Sequence, residues 1–89
     1  MWNTIIINHS KWGFLMRQVK VLINAPEKAQ RLCGILSGYE GSFDLSKGRY
    51  TVDGKSIIGI CTMDLSRPLV LTIYNDSEFV LDRIREFVV

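Results

Sequence analysis

The sequence holds few of the residues that metal sites, disulfide frameworks and histidine-based catalysis require. Of its 89 residues, only two are cysteine, two are proline and one is histidine. The two cysteines, Cys33 and Cys61, have neither the number nor the spacing of a disulfide framework or a zinc site. We therefore expect two free, mostly packed thiols in a reducing compartment.

Recognisable catalytic motifs are also missing. The sequence has no glycine-rich phosphate loop, no His-Glu metal motif and no Ser-His-Asp set. The single histidine, His9, has no evident nucleophile beside it, so we interpret it as a bystander. Glu78, Asp82 and Glu86 have the spacing of a solvated helix face, where nothing apolar is placed to shift their pKa values. We expect neither an enzyme nor a bound metal or cofactor.

Long apolar runs and a strong net charge are lacking as well. The apolar run at residues 5–7 is far shorter than the roughly 20 residues that a membrane span needs. No basic segment precedes this run and no cleavage pattern follows it, which argues against a signal peptide. The formal net charge is only +2 and the basic residues are scattered, so nucleic acid is a poor candidate partner. These features favour a cytoplasmic protein that binds neither membrane nor nucleic acid.

The length of the chain is enough for one domain, which we place at residues 16–89. Residues 1–15 differ from the rest, because Trp2, Trp12 and Phe14 crowd a segment with no clear period. In one interpretation, Met16 is the native start and the first 15 residues are an upstream extension. In the other, residues 4–7 form an extra strand at a sheet edge. The mass of the protein from its native source would distinguish the two.

Hydrophobic periodicity in residues 17–89 predicts an α+β domain with the order βαββαβα. The predicted strands are 17–24, 42–46, 49–53 and 69–74, and the predicted helices are 26–37, a short one after Ser56, and a last one near the C-terminus. Asn24 is the predicted cap of the first helix, and Gly38 is its predicted end. Asn75 with Glu78 has the spacing of a capping box for the last helix, while Asp76 and Ser77 are alternative caps.

The side chains expected to point inward follow from the same periods. They are Val19, Val21, Ile23, Ala29, Leu32, Cys33, Leu36, Phe43, Leu45, Tyr50, Val52, Val80, Ile84, Phe87 and Val88. The polar side chains of the last helix are expected to point outward.

The stretch at residues 53–65 is the most distinctive part of the chain. It predicts a turn, then Ser56 as a helix N-cap, then a short helix that is apolar on nearly every side. Helical spacing places Ile57, Ile60 and Cys61 on one side, with Ile58 and Leu65 off that side. A short helix cannot bury its whole circumference in a domain this small, so part of the apolar surface should face a partner.

The element order, together with the run Lys55-Ser56-Ile57-Ile58-Gly59-Ile60, resembles HPr, the phosphocarrier of the bacterial sugar phosphotransferase system. The similarity is ungapped over about 37–73. It rests on Ser37, Tyr39, Phe43, Leu45, Val52, Lys55, Ser56, Ile57, Gly59, Thr72 and Ile73. The resemblance implies an HPr-like open-faced sandwich, in which three helices cover one face of a four-stranded antiparallel sheet.

The family passes a phosphoryl group from phosphoenolpyruvate, through enzyme I, to a histidine and then to sugar permease subunits. That histidine follows the first strand in a Gly-Ile/Leu-His-Ala-Arg-Pro motif, which this sequence lacks. Residues 24–31 read NAPEKAQR instead, in a segment about four residues shorter, with no His, Cys or Asp at the acceptor position. The departure predicts that histidine phosphocarrier activity is absent.

The resemblance also assigns roles to the predicted short helix. Ser56 matches the serine that an ATP-dependent kinase phosphorylates in many Gram-positive bacteria. We call the short helix predicted after Ser56 α2, and Ile57, Ile58 and Cys61 the α2 patch. These three residues match the apolar surface that docks enzyme I, permease subunits, the kinase and a transcriptional regulator. We therefore expect a regulatory or interaction module. The alternatives are a working phosphocarrier with an atypical acceptor and a small structural subunit of a larger complex.

Overall fold

The computed structural model contains one five-stranded antiparallel sheet with helices packed on one of its faces. It describes the backbone of residues 4–9, 15–74 and 79–89, and the side chains of residues 16–74 and 79–89. The strands are β1 (Thr4–His9), β2 (Leu15–Val21), β3 (Ser42–Lys47), β4 (Tyr50–Asp53) and β5 (Leu69–Tyr74). The helices are α1 (Pro26–Ser37), α2 (Ile57–Cys61) and α3 (Phe79–Arg83), and a 3-10 turn follows at Arg85–Phe87.

The strand order across the sheet is β1-β2-β5-β3-β4. The last four strands in this order form the predicted four-stranded open sheet, and α1, α2 and α3 cover one of its faces. The HPr-like fold class is therefore confirmed. At the outer edge of β2 the structure adds β1, whose pairing shifts register between Ile6 and Asn8. A strand therefore occupies the segment for which we considered either an extension or an edge strand. Whether Met16 is the native start stays a prediction.

The alternation of apolar residues along the strands decides which face the helices cover. Val19 lies opposite Leu71, Leu71 lies opposite Leu45, and Leu45 lies opposite Val52, so one row of apolar side chains crosses four strands. The helices contribute the other half of the same core cluster. The fully buried helix residues are Ala29, Leu32, Leu36, Ile60 and Val80, and the segment after α3 adds Ile84 and Phe87. The other face of the sheet carries polar side chains, among them Lys20, Asp44, Ser46 and Thr51.

The predicted inward residues are confirmed with one clear exception. Cys33, Val52 and Val88 are partly buried against the core, and the other predicted residues are fully buried apart from Tyr50. Tyr50 is 51% exposed. It lies on the helix side of the sheet, but it is the first residue of the edge strand and is paired with Lys47 at the turn. The alternation therefore predicted its face correctly and its burial wrongly.

The predicted capping of α1 by Asn24 is wrong. Asn24 adopts a left-handed conformation, with φ of 67°, and the residue at the N-cap is Ala25, which has no side chain able to cap. Gly38 does end the helix, but in a right-handed conformation with φ of −81°. The predicted caps Asn75, Asp76 and Ser77, with Glu78, lie outside the described residues.

The C-terminal segment returns to the middle of the sheet. The backbone N–H of Leu22 donates to the carbonyl of Phe87 at 2.8 Å, and the N–H of Val89 donates to the carbonyl of Lys20 at 3.0 Å. These bonds hold the segment after α3 beside β2, whereas α2 lies near β4, which forms the opposite edge of the sheet.

Candidate functional site

Ser56 occupies the N-cap of α2, as predicted. Its backbone is extended, with φ of −107° and ψ of 105°. The hydroxyl oxygen accepts a hydrogen bond from the backbone N–H of Gly59 at 3.1 Å. The side chain is only half-buried, so the hydroxyl satisfies an orphan donor of the first turn and stays within reach of solvent.

The turn before Ser56 is fixed by contacts with β3. The backbone N–H of Gly54 donates to the carbonyl of Phe43 at 2.6 Å, and a carboxylate oxygen of Asp53 accepts from the N–H of Lys55 at 2.8 Å. A β-carbon on Gly54 would lie 3.0 Å from the Phe43 carbonyl oxygen and 3.1 Å from Cδ1 of Leu36. Residue 54 must therefore lack a side chain for the chain to approach β3 this closely.

Lys55 is directed toward the loop after α1. Its Nζ donates to the carbonyl oxygen of Tyr39 at 2.6 Å and lies 5.4 Å from the centroid of the Phe43 ring. Lys55 therefore connects the start of α2 to the loop after α1 and also makes a cation–π contact with Phe43. No local sequence pattern indicates this contact, because its partners are 16 and 12 residues away.

The residues of α2 divide into a buried side and an exposed side. Ile60 is fully buried. The α-carbon of Gly59 lies so near β4 that an added β-carbon would be 3.2 Å from Cβ of Val52. Ile58, on the opposite side, is 80% exposed. The helix ends at Cys61, so Leu65 lies in the following loop and not in the helix.

The α2 patch is thus only partly free. Ile58 and Cys61 are exposed and lie three residues apart, which brings them to the same side of a helix. Ile57 is half-buried and packs against the core. Both cysteines are free thiols. The expectation of mostly packed thiols holds for Cys33 and is wrong for Cys61, which is exposed because α2 turns this side away from the core.

Tyr50 and Thr62 extend the exposed side of α2 toward β4. The two hydroxyl oxygens are 2.6 Å apart and share a hydrogen bond. The Thr62 hydroxyl also donates to the carbonyl of Gly59 at 2.6 Å. A half-exposed phenol ring therefore lies next to the C-terminal end of α2. Sequence reasoning missed this contact because it placed Tyr50 in the core.

A small charged cluster follows α2. The hydrogen bonds from the Ser66 hydroxyl and backbone N–H lower the pKa of Asp64, burial opposes them, and Arg67 and Lys47 lower it further. Nε of Arg67 is 3.6 Å from the Asp64 carboxylate.

A second polar group lies on the open face of the sheet. Burial raises the pKa of Tyr74, and the neighbouring carboxylate of Asp44, which is also its hydrogen-bond partner, raises it further. Beside it, the Gln18 amide donates to the Thr72 hydroxyl at 3.1 Å. These bonds satisfy polar groups on the uncovered face and do not bring together an acid and a base for catalysis.

Residues 24–31, where the HPr family carries its histidine, are hydrogen-bonded to the loop after α2. The backbone N–H of Asn24 donates to the carbonyl of Leu65 at 2.7 Å. Pro26, Glu27 and Lys28 are exposed at the start of α1. The side chain of His9 lies outside those described.

Within residues 16–74 and 79–89, no group of three His, Cys, Asp or Glu side chains is placed to hold a metal ion. Among the described residues, no helix has the length and apolar character to cross a membrane.

Comparison with known proteins does not place the chain in a family. It matches no model of a known protein family and no curated protein sequence. The geometry of the site therefore carries the argument about function.

Proposed function

We propose that this chain is an HPr-like protein related to the phosphoenolpyruvate-dependent sugar phosphotransferase system. It acts in the cytoplasm as a regulatory or interaction module that docks protein partners through the α2 patch. It has no histidine phosphocarrier activity and is not an enzyme. Ser56 is its regulatory phosphorylation site.

The observation that carries this proposal is the exposure of Ile58. Ile58 is a large aliphatic side chain that is 80% exposed, two residues after the helix cap. In this position it contributes little buried apolar area to the stability of the fold. Exposed apolar residues of this kind mark interaction sites when they lie together. Cys61 is exposed on the same side of α2, and the half-exposed Tyr50 reaches the end of α2 through Thr62. The confirmed open-faced sheet with its helices adds to the resemblance in the run 55–60.

The missing acceptor supports the second half of the proposal. Residues 24–31 contain no histidine, cysteine or aspartate. Glu27 and Lys28, which are exposed at the start of α1, have no imidazole ring and cannot form a phosphohistidine. A phosphocarrier reaction would therefore need an acceptor outside this segment.

Phosphorylation assays test both halves. With ATP and HPr kinase, we expect one phosphate on Ser56, located by mass spectrometry. The label should be absent from Ser56→Ala and unchanged in Ser37→Ala, which removes an exposed serine from the end of α1. Lack of incorporation would remove Ser56 as a regulatory site.

With phosphoenolpyruvate and enzyme I, we expect no label on this chain under conditions that label a histidine-containing HPr. An acid-labile phosphate on the chain would contradict the proposal and favour a phosphocarrier with an atypical acceptor.

A further inference from the structure

Exposed apolar side chains lie on two adjoining elements, α2 and β4. Ile58 and Cys61 lie on α2, and the Tyr50 ring, 51% exposed, reaches the end of α2 through its hydrogen bond with Thr62. We call Ile58, Cys61 and Tyr50 the docking surface. Since it joins a helix to an edge strand, it offers a partner two anchor points in place of one.

Positive charge is concentrated next to this surface. Lys47 and Arg49 flank Gly48 at the turn of the β3–β4 hairpin, and Lys47 is the register partner of Tyr50. Arg67 lies in the loop after α2, beside Asp64. Three cations against one carboxylate leave an excess of two positive charges, which equals the formal net charge of the whole chain. We call Lys47, Arg49 and Arg67 the hairpin cations.

Away from the hairpin, two exposed arginines are paired with carboxylates. Arg31 of α1 contacts Glu86 at 3.1 Å, and Arg85 contacts Asp82 at 3.9 Å within the C-terminal segment. Of the hairpin cations, Arg67 is paired with Asp64 at 3.6 Å. Among the described residues, no salt bridge is found for Lys47 or Arg49. These two cations therefore leave positive charge beside Tyr50 that can attract an acidic partner.

Resting on the proposed docking role of α2, we propose that the docking surface binds an acidic protein segment that carries an apolar anchor. The anchor packs on Ile58 and Tyr50, and its flanking carboxylates pair with the hairpin cations. A nucleic acid fits the site less well. Ile58 and Cys61 would lie against a polar backbone, and three cations provide a short track for phosphates.

Peptide selection on the full-length chain tests the chemistry of the partner. Random peptides displayed on phage are selected on the immobilised protein. We expect the selected peptides to be enriched in Asp and Glu around an aromatic or aliphatic residue. Failure to select any peptide, or selection without acidic enrichment, would overturn the proposal.

Variants then locate the binding, with the fluorescence polarisation of one selected peptide as the readout. We expect Lys47→Glu with Arg49→Glu to weaken binding roughly tenfold or more, and Ile58→Asp to weaken it as strongly. Added NaCl should weaken it as well. Arg83→Glu is the matched control, because Arg83 is an exposed cation on α3, in the segment that joins β2. It should leave the affinity within about twofold, since rim charges far from a partner contribute little.

The outcomes separate this inference from the proposed function. If Ile58→Asp weakens binding and the charge reversal does not, docking on α2 stands and the acidic partner is wrong. If neither variant has an effect, docking on α2 is wrong as well. Tighter binding of an oligouridine RNA than of the selected peptide would also overturn the proposal.

Discussion

Helix α1 has twelve residues and no side-chain cap, whereas α2 has five residues and a serine cap. α1 inserts Ala29, Leu32 and Leu36 into the core, each fully buried, while α2 inserts only Ile60. The long helix is thus stabilised by packing, which makes its uncapped start tolerable. The short helix depends on local hydrogen bonds at both ends.

This difference explains why the candidate site lies on α2. The cap at Ser56, the Lys55–Tyr39 bond and the Tyr50–Thr62 bond hold the backbone in place without using the outer side of the helix. Ile58 and Cys61 therefore stay exposed. In α1, by contrast, burial of one face determines the orientation of the whole helix.

The largest effect should come from removing packing under α1. Leu32→Ala is expected to lower the free energy of unfolding by about 2–5 kcal/mol, because it leaves a cavity in a fully buried position. Urea unfolding followed by circular dichroism measures the change. Gln30→Ala, at an exposed position of the same helix, is the control and should shift it by less than about 0.5 kcal/mol. Similar small losses in both variants would contradict the packing account of α1.

Replacing glycine by alanine should change the stability less, and in opposite directions before α2 and within α1. Gly54→Ala should destabilise the protein by about 1–3 kcal/mol, since the new β-carbon meets the backbone of Phe43 before α2. Gly34→Ala in α1 meets nothing within 4 Å and should stabilise it by about 0.5–1 kcal/mol through helix propensity. Thermal unfolding of both variants measures the contrast. A loss of stability at Gly34 would show that α1 is not open at this point.

The smallest effects concern the caps. Ser56→Ala should lower the free energy of unfolding by about 1 kcal/mol, because the N–H of Gly59 loses its acceptor. Ala25→Ser places a hydroxyl at the uncapped start of α1, where the backbone is already extended, and should raise it by about 0.5–1 kcal/mol. Chemical denaturation of the two variants measures both changes. If Ser56→Ala has no effect, local bonds do not hold α2 in the way described above.

Much of the fold could be predicted because short-range patterns agree with the long-range packing. The residues of β5 were predicted without error at 69–74, since a β-branched, apolar run there is bounded by Pro68 and Asn75. The inward positions of the helices followed from the 3.6-residue period. The cap at Ser56 was also readable, because an N-cap uses a residue and its own first turn.

The sequence by itself therefore determined the element order, the buried faces and the capped start of α2, all of which depend on neighbours within a few residues. Only the tertiary structure decided which apolar side chains remain exposed. Tyr50 leaves the core because its strand is the edge of the sheet, and Cys61 is exposed because Ile60 and Gly59 take the inner side of α2. The Lys55–Tyr39 bond and the Tyr50–Thr62 bond likewise join distant segments. Such contacts depend on where whole elements pack, which no local period specifies.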